Sequence, residues 1–290
     1  MQVTKRQDSA SARGEVALPM VSIVTVTLNA ARHLDHTIRS VIAQRYPAIE
    51  YVIVDGGSTD GSLDVIGRHQ SGISKWISEP DRGIADAFNK GVKLATGRYI
   101  TFVNAGDWIE PDHIATAVEC LKADPNAVFV YGDLVHWQSG KPLYMTKGSS
   151  DYRRRFGYRM GALNHPTIVC RRDLFEIVGL FDPCYRVAMD FNWLQRLHQA
   201  SYGGIYCERI CGNMETGGQS ERQGLLANRE NRISSIRLGR NKLMCWALYL
   251  GYAARFRVRT LIGRLLPERW VLRLRQTMLG SLRIVDGDRG

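Results

Sequence analysis

The 290 residues are 44% hydrophobic, enough for one large core or two smaller ones, and no run approaches the ~18 apolar residues of a conventional membrane span. The net charge is +11, but residues 221–290 alone carry 15 Lys and Arg against 5 Asp and Glu, so the remainder of the chain is close to neutral. The basicity therefore describes a surface for a partner of the tail and excludes a uniformly basic main domain.

Residues 1–18 hold Lys5, Arg6 and Arg13 among small polar residues and have no apolar segment of the secretory type, so a disordered tail and a cytoplasmic protein are expected. Val21 to Leu28 is aliphatic or threonine throughout, the pattern of a strand covered on both faces. Leu34, Ile38, Val41 and Ile42 then fall on one helical stripe. Tyr51 to Val54 is a second strand that stops at Asp55, Gly56, Gly57 and Ser58. In parallel sheets ligands collect beyond the carboxyl ends of strands, which puts Thr27, Asn29 and Asp55 side by side as candidates for a nucleotide pocket. Asp55 can accept from a base N–H, while Thr27 and Asn29 offer neutral hydrogen bonds. An Asp that only closes a strand turn is the alternative.

Ser58, Thr59 and Asp60 can cap a helix running to about His69, with Leu63, Val65 and Ile66 inward; for Asp60 a cap and a ligand contact are both open. A short strand is expected over Lys75 to Ile77 and a helix over Gly83 to Thr96, with Ile84, Ala87, Phe88, Leu94 and Ala95 inward. Arg98 to Val103 reads as a third long strand ending in Asn104, Ala105, Gly106, Asp107. Pro111 opens the next helix, and Ala127 to Tyr131 is a further strand. This alternation predicts a parallel α/β sheet through about residue 133. The pattern is less regular from Trp137 to Ser220, where Arg153, Arg154 and Arg155 read as a solvated charge run and Phe191, Leu194 and Leu197 mark a helix. Six cysteines are scattered; Cys207 and Cys211 lack a second pair for zinc. After Gly217, Gly218 and Ser220, the residues Trp246, Leu250, Ala253, Ala254, Val258, Leu261, Ile262 and Leu265 can share one helical face. Arg255, Arg259 and Arg264 can reach outward, as in a helix lying in a membrane interface.

The blocks TLNA, VDGGSTDGS, EPDRGIADAFNKG and RYITFVNAGDW, followed by GALNHPTIVCRRDLFEIVGLFD and RVAMDFNWLQRLHQ, resemble the inverting family-two glycosyltransferases of bacterial polysaccharide biosynthesis. The resemblance spans roughly Val21 to Ser220. It implies a Rossmann-like GT-A fold, a mostly parallel sheet flanked by helices, here with a C-terminal basic amphipathic helical tail. The expected organisation is a tail over 1–18, a GT-A domain over 19–220 divided into a nucleotide half (19–133) and an acceptor half (134–220), and a membrane-associating region over 221–290. The implied reaction is metal-dependent transfer of a sugar from a nucleoside-diphosphate sugar to a saccharide or polyprenyl-linked acceptor at the inner face of the cell membrane. An anionic membrane surface is the expected further partner, and no nucleic acid is expected.

Residue by residue, the resemblance assigns Asp55 to nucleotide binding, with Gly56 where the family commonly has a second aspartate. Asp81 and Arg82 match the segment that approaches nucleoside and diphosphate, Arg82 as a phosphate partner; a surface ion pair involving Asp81 competes. Asn104 to Asp107 stands in place of the Asp-x-Asp metal motif, with Asn104 expected among the nucleotide-binding residues. Asp107 is the candidate ligand for Mg2+ or Mn2+, held together with substrate phosphates and waters, over a helix-capping role. Asp190 matches the general base, with an N-cap as the alternative. His165 reads as structural before Pro166, and Arg222 as a residue that could reach diphosphate. The rival readings are a non-catalytic sugar-nucleotide-binding module, suggested by the depleted metal motif, and a nucleic-acid binder, suggested by net charge.

Overall fold

The computed structural model describes residues 17–156, 163–218 and 223–265. The N-terminal tail to residue 16, Arg222 and the end of the basic region from residue 266 lie outside the described residues. So do the side chains of Arg154, Arg155, Arg259, Leu261, Ile262, Arg264 and Leu265.

Strands β1 (Val21–Thr27), β2 (Ile49–Asp55), β3 (Lys75–Ser78) and β4 (Tyr99–Phe102) form a parallel group, with β1 between β2 and β4. All seven residues of β1 are buried, as its unbroken aliphatic and threonine run requires. Alternate side chains go to opposite faces. Ile23, Tyr51 and Ile53 meet Leu34, Ile38 and Val41 of helix α1 (Ala31–Ile42), Val65 and Ile66 of α2 (Ser62–Arg68), and Ile114 and Val118 of α4 (His113–Ala123). Val24, Val26, Val52 and Val54 share the other core with Phe88 and Val92 of α3 (Ile84–Leu94). Each such aliphatic contributes about 1.5–3 kcal/mol on full burial. Ile42 and Leu63, expected inward, are exposed: each lies at the margin of its stripe, where the sheet beneath ends.

The sheet continues beyond β4 through β8 (Val169–Arg171), β6 (Phe129–Gln138), β9 (Gly204–Glu215) and β5 (Asp107–Ile109), and β7 (Lys141–Thr146) pairs with β6. β8 is antiparallel to both β4 and β6, so β6 keeps the direction of the parallel group although β8 intervenes. The result is a mixed sheet. β6 is twice the expected length because its second half, Gly132 to Gln138, is stabilised by β7 on one side and β9 on the other, partners that its polar and aromatic mixture does not announce. Helices α5 (Tyr152–Arg155), α6 (Leu174–Ile177) and α7 (Met189–Gln199) complete the second half.

Helix α8 (Gly224–Arg237) docks on α7 through buried polar contacts, Asn192 Nδ2 to Ser234 Oγ at 3.0 Å and Gln195 Nε2 to Ser235 Oγ at 2.9 Å. Helix α9 (Lys242–Leu265) folds back on α8, where the Arg232 guanidinium lies 3.6 Å from the ring centre of Trp246 and 4.9 Å from that of Tyr249, a stacked cation–aromatic arrangement. Among the described residues no helix is long and apolar enough to cross a membrane.

Candidate active site

Three loops meet beyond the carboxyl ends of β1, β2 and β4. Thr27 and Asp55 are direct neighbours in the parallel register, and the Gly56 N–H donates to the Thr27 carbonyl at 2.9 Å. The Thr27 hydroxyl is buried and has no hydrogen-bond partner among the described residues; a buried unsatisfied group of this kind points to a missing ligand or water. Asn29 adopts a left-handed conformation (φ 51°). Its N–H donates to Ser58 Oγ at 2.7 Å and its side-chain oxygen accepts from the Thr59 N–H at 2.9 Å. Asn29 thus ties the first loop to the second. Asp60 does similar work, accepting from the N–H groups of Ala31 and Ser62 at the starts of α1 and α2.

For Asp55 the sequence left open a base contact and the closure of a strand turn. Both of its oxygens are engaged by the loop: Oδ2 accepts from the N–H groups of Gly57 and Ser58 and from Ser78 Oγ at 2.7 Å, and Oδ1 from Ser58 Oγ at 2.5 Å. Asp55 is fully buried and braces the loop. The carboxylate nearest this floor is that of Asp81. A Cβ added to Gly56 would lie 2.3 Å from Asp81 Oδ2, so the absent side chain at position 56 leaves the space that the Asp81 carboxylate fills. The other oxygen of Asp81 accepts from the Gly83 N–H at 2.9 Å. Arg82 is exposed and reaches Asp86 at 3.6 Å. Lys90, which the sequence did not single out, holds the same loop by donating to the Pro80 carbonyl and pairing with Glu79, both at 2.9 Å.

The Asn104–Asp107 turn is pinned from behind by α1. Thr37 Oγ1 accepts from the Gly106 N–H at 3.0 Å and donates to the Asp107 carbonyl at 2.7 Å, and Gly106 supplies φ 102°, which a side chain would disfavour. Thr37 was legible only as a polar residue on an otherwise aliphatic helix stripe. Asp107 does not cap a helix: it begins β5, opposite Met214 of β9. Its carboxyl is pushed up to about 7 by burial, with hydrogen bonding from the Asn104 backbone and side chain working the other way. The Asn104 side-chain oxygen is itself buried and unpartnered among the described residues.

The second half of the chain reaches the same sheet edge. His165 lies against Phe102, the last residue of β4, with ring centres 6.2 Å apart, and against Phe88 at 6.1 Å. Its Nδ1 is 3.9 Å from Asp190 Oδ2. Asp190 sits in the first turn of α7, where Oδ1 accepts from the Phe191 N–H at 2.7 Å; its side chain remains 21% exposed and so can be reached. Burial raises the Asp190 carboxyl above the usual carboxylate range, with His165 opposing and the negative Glu230 reinforcing the shift. Burial also lowers His165, against the pull of Asp190. The Gly-x-Phe-Asp turn is fixed by Asn89 of α3, which donates to the Phe181 carbonyl and accepts its N–H. Two further carboxylates of this half serve turns: Asp182 accepts from the Cys184 N–H and Glu215 from the Ser139 N–H.

A mixed α/β sheet with this strand-end floor and an acceptor half folded over it is the GT-A arrangement of glycosyltransferases. Among solved structures, a mannosyltransferase from Pyrobaculum calidifontis in complex with GDP-Man and Mn2+ superposes with a TM-score of 0.61 at 19% identity, over 91% of this chain and 81% of that one. S. aureus TarS gives 0.60 at 17% identity, over 80% of this chain and 43% of that one. Residues 22–176 match the family model for Glycosyl transferase family 2, and the chain belongs to that family. A PGL/p-HBAD biosynthesis glycosyltransferase of Mycobacterium bovis is 32% identical over 182 residues, 61% of this chain and 69% of the relative. A putative teichuronic acid biosynthesis glycosyltransferase of Bacillus subtilis is 33% identical over 129 residues, 43% of this chain and 51% of the relative.

Proposed function

We propose that this glycosyltransferase moves a sugar from a nucleoside-diphosphate sugar to a saccharide or carrier-linked acceptor in cell-surface glycan synthesis, with inversion at the anomeric carbon. The observation that carries this reading is the strand-end floor beyond β1, β2 and β4, with Asp107 in the turn after β4 and His165, the neighbour of Asp190, packed on the last residue of β4. The carboxyls of Asp107 and Asp190 are both raised by burial. The Thr27 hydroxyl and the Asn104 side-chain oxygen, both buried and without a partner among the described residues, are available to a donor. Asp81, above Gly56, is the carboxylate best placed to meet the nucleoside, with Asp55 and Asn29 shaping the loop under it. Arg82, exposed and held among the described residues through Asp86, can swing to the diphosphate.

Asp190 takes the proton of the acceptor hydroxyl as its oxygen attacks the anomeric carbon opposite the departing diphosphate. His165, kept neutral by its apolar surroundings, lines that side without adding a positive charge beside the base. The donor set on the other side fits a hard cation that keeps several non-protein ligands: one carboxylate, Asp107, and one amide oxygen, Asn104. No group of three His, Cys, Asp or Glu is gathered for a metal among the described residues. Mg2+ or Mn2+ held there with the donor phosphates would compensate the charge of the leaving diphosphate. Peripheral association with the inner membrane face is supported by α9, where Leu243, Met244, Leu250 and Val258 are exposed beside Arg255 and Arg257.

A thermal-shift panel of UDP-, GDP- and TDP-sugars, each with and without Mg2+ or Mn2+, tests the donor side, because a ligand of the folded state raises its apparent stability. One donor raising the melting temperature, more so with the cation, is expected; no response to any of them contradicts the reading. Release of the nucleoside diphosphate would set transfer apart from a non-catalytic binding module.

A further inference from the structure

The chain ahead of α7 has no side-chain cap of its own. Ala188 occupies the N-cap position, where Ser, Thr, Asp or Asn would ordinarily bond the first free N–H groups. The missing acceptor comes from another helix. Glu230 of α8, only 6% exposed, accepts from three successive N–H groups: Arg186 at Oε1, and Val187 and Ala188 at Oε2, all at 2.9 Å. Charge-assisted bonds of this type are stronger and more directional than neutral ones. Two residues beyond this clamp stands Asp190.

We propose that Glu230 is a positioning residue for the reaction: its carboxylate, inserted from α8, fixes the segment 186–188 and with it the direction in which Asp190 faces the acceptor. This rests on the reading of Asp190 as the base. The surrounding seam is suited to the task. Asn192 and Gln195, one and two turns further along α7, are held by Ser234 and Ser235 of the same α8 face. A buried network with its members satisfied defines one arrangement of two helices. Among the described residues, the charged and titratable groups that face Asp190 are His165 from the turn before β8 and Glu230 from α8, with the Phe191 N–H on its own helix. Glu230 thus does two things. It sets the geometry through the backbone, and its like charge adds a minor contribution to the raised proton affinity of Asp190, whose main cause is burial.

The experiment uses the full-length chain and the variants Glu230→Gln, Glu230→Asp and Asp190→Asn. The Asp190 titration is followed by carbon NMR of carboxyl-labelled aspartate, with Asp190→Asn assigning the resonance. Nucleoside diphosphate release from UDP-GlcNAc and from GDP-mannose, with water as acceptor, is followed across pH. Glu230→Gln removes the like charge and offers an amide N–H where Oε2 receives two donors. Its Asp190 midpoint should move to lower pH and its release rate fall about ten- to a hundredfold, with donor KM within about twofold of wild type. Glu230→Asp keeps the charge on a shorter arm, so it should restore most of the midpoint and only part of the rate. An unmoved midpoint in Glu230→Gln overturns the proposal. So does a loss of donor affinity and melting temperature in step with rate, which is the mark of a purely structural clamp. The two readings fail separately: wild-type release by Asp190→Asn removes the base, whereas an inactive Asp190→Asn beside an unaffected Glu230→Gln removes only the positioning role.

Discussion

Asp107, the proposed cation ligand, also has a consequence for stability. The folded carboxyl binds its proton up to about pH 7, whereas an unfolded aspartate releases it near ~3.9. Between those limits the folded state holds the extra proton, so stability without ligand falls as pH rises from about 4 to about 7. Asp107→Asn should flatten that decline, as read by melting temperature against pH, and should abolish cation-linked binding of the nucleoside diphosphate in calorimetry; a cation linkage unchanged by the substitution would place the metal elsewhere. Gly56 gives a gentler probe. Its backbone is not in the left-handed region, so Gly56→Ala costs nothing there; the new methyl group displaces the movable carboxylate end of Asp81 and otherwise touches Leu28 Cδ1 at 3.4 Å. Donor affinity should fall several-fold with melting temperature nearly unchanged; equal affinity would mean that Asp81 does not touch the nucleoside. These residues were legible in the sequence as strand-end motifs, but their division of labour was not. Nothing in VDGGSTDGS states that Asp55 spends both oxygens on its own loop, or that the carboxylate above Gly56 arrives from position 81.

Elements with one buried pattern were readable and elements built by pairing were not. β1, β2, α1 and α3 announce themselves because each has a single apolar periodicity and a local partner. β5 is three residues long and exists because β9, a hundred residues later, pairs with it; α8 looks like basic tail because its anchoring residues are Glu230, Ser234 and Ser235, polar groups that face inward. The start of β2 shows how such polar anchoring works. Glu50 receives Ser22 of β1 at 2.5 Å, Lys75 of β3 at 2.7 Å, and the Thr96 N–H and hydroxyl from the turn before β4. Burial alone would raise its carboxyl, but these bonds outweigh it and hold it at about 2. The contribution is therefore present in full above the ordinary glutamate value and is lost as pH falls toward 2. Glu50→Gln should cost about 2 kcal/mol at neutral pH, with the gap from wild type narrowing between pH 4.5 and 2 in denaturant titrations. A gap independent of pH would show that packing, not charge, is lost.

At the scale of the whole molecule, the excess of basic residues lies in the helical end beyond a nearly neutral α/β body, and we propose that this end meets an anionic surface. The charge asymmetry was legible from composition alone. The hairpin of α8 and α9 was not, since it depends on Arg232 stacking over Trp246. That stack leaves Leu243 and Leu250 outward, 81% and 58% exposed, so replacing both by Glu should spare the hairpin. Basic side chains near an anionic leaflet contribute ~1 kcal/mol each and inserted apolar residues add to this. The double variant should lose co-sedimentation with anionic vesicles while binding donor as wild type does; equal sedimentation would assign the surface to another partner.

The central claim is that donor and acceptor chemistry are divided between Asp107 and Asp190 across one sheet edge. Single-turnover transfer by Asp190→Asn, measured beside donor affinity and melting temperature, tests it most directly. The substitution keeps the size of the side chain and its contact with the Phe191 N–H but removes the proton acceptor. The rate should fall by roughly 100- to 10,000-fold with donor affinity and stability retained. Transfer at the wild-type rate, with both of those unchanged, would contradict the account.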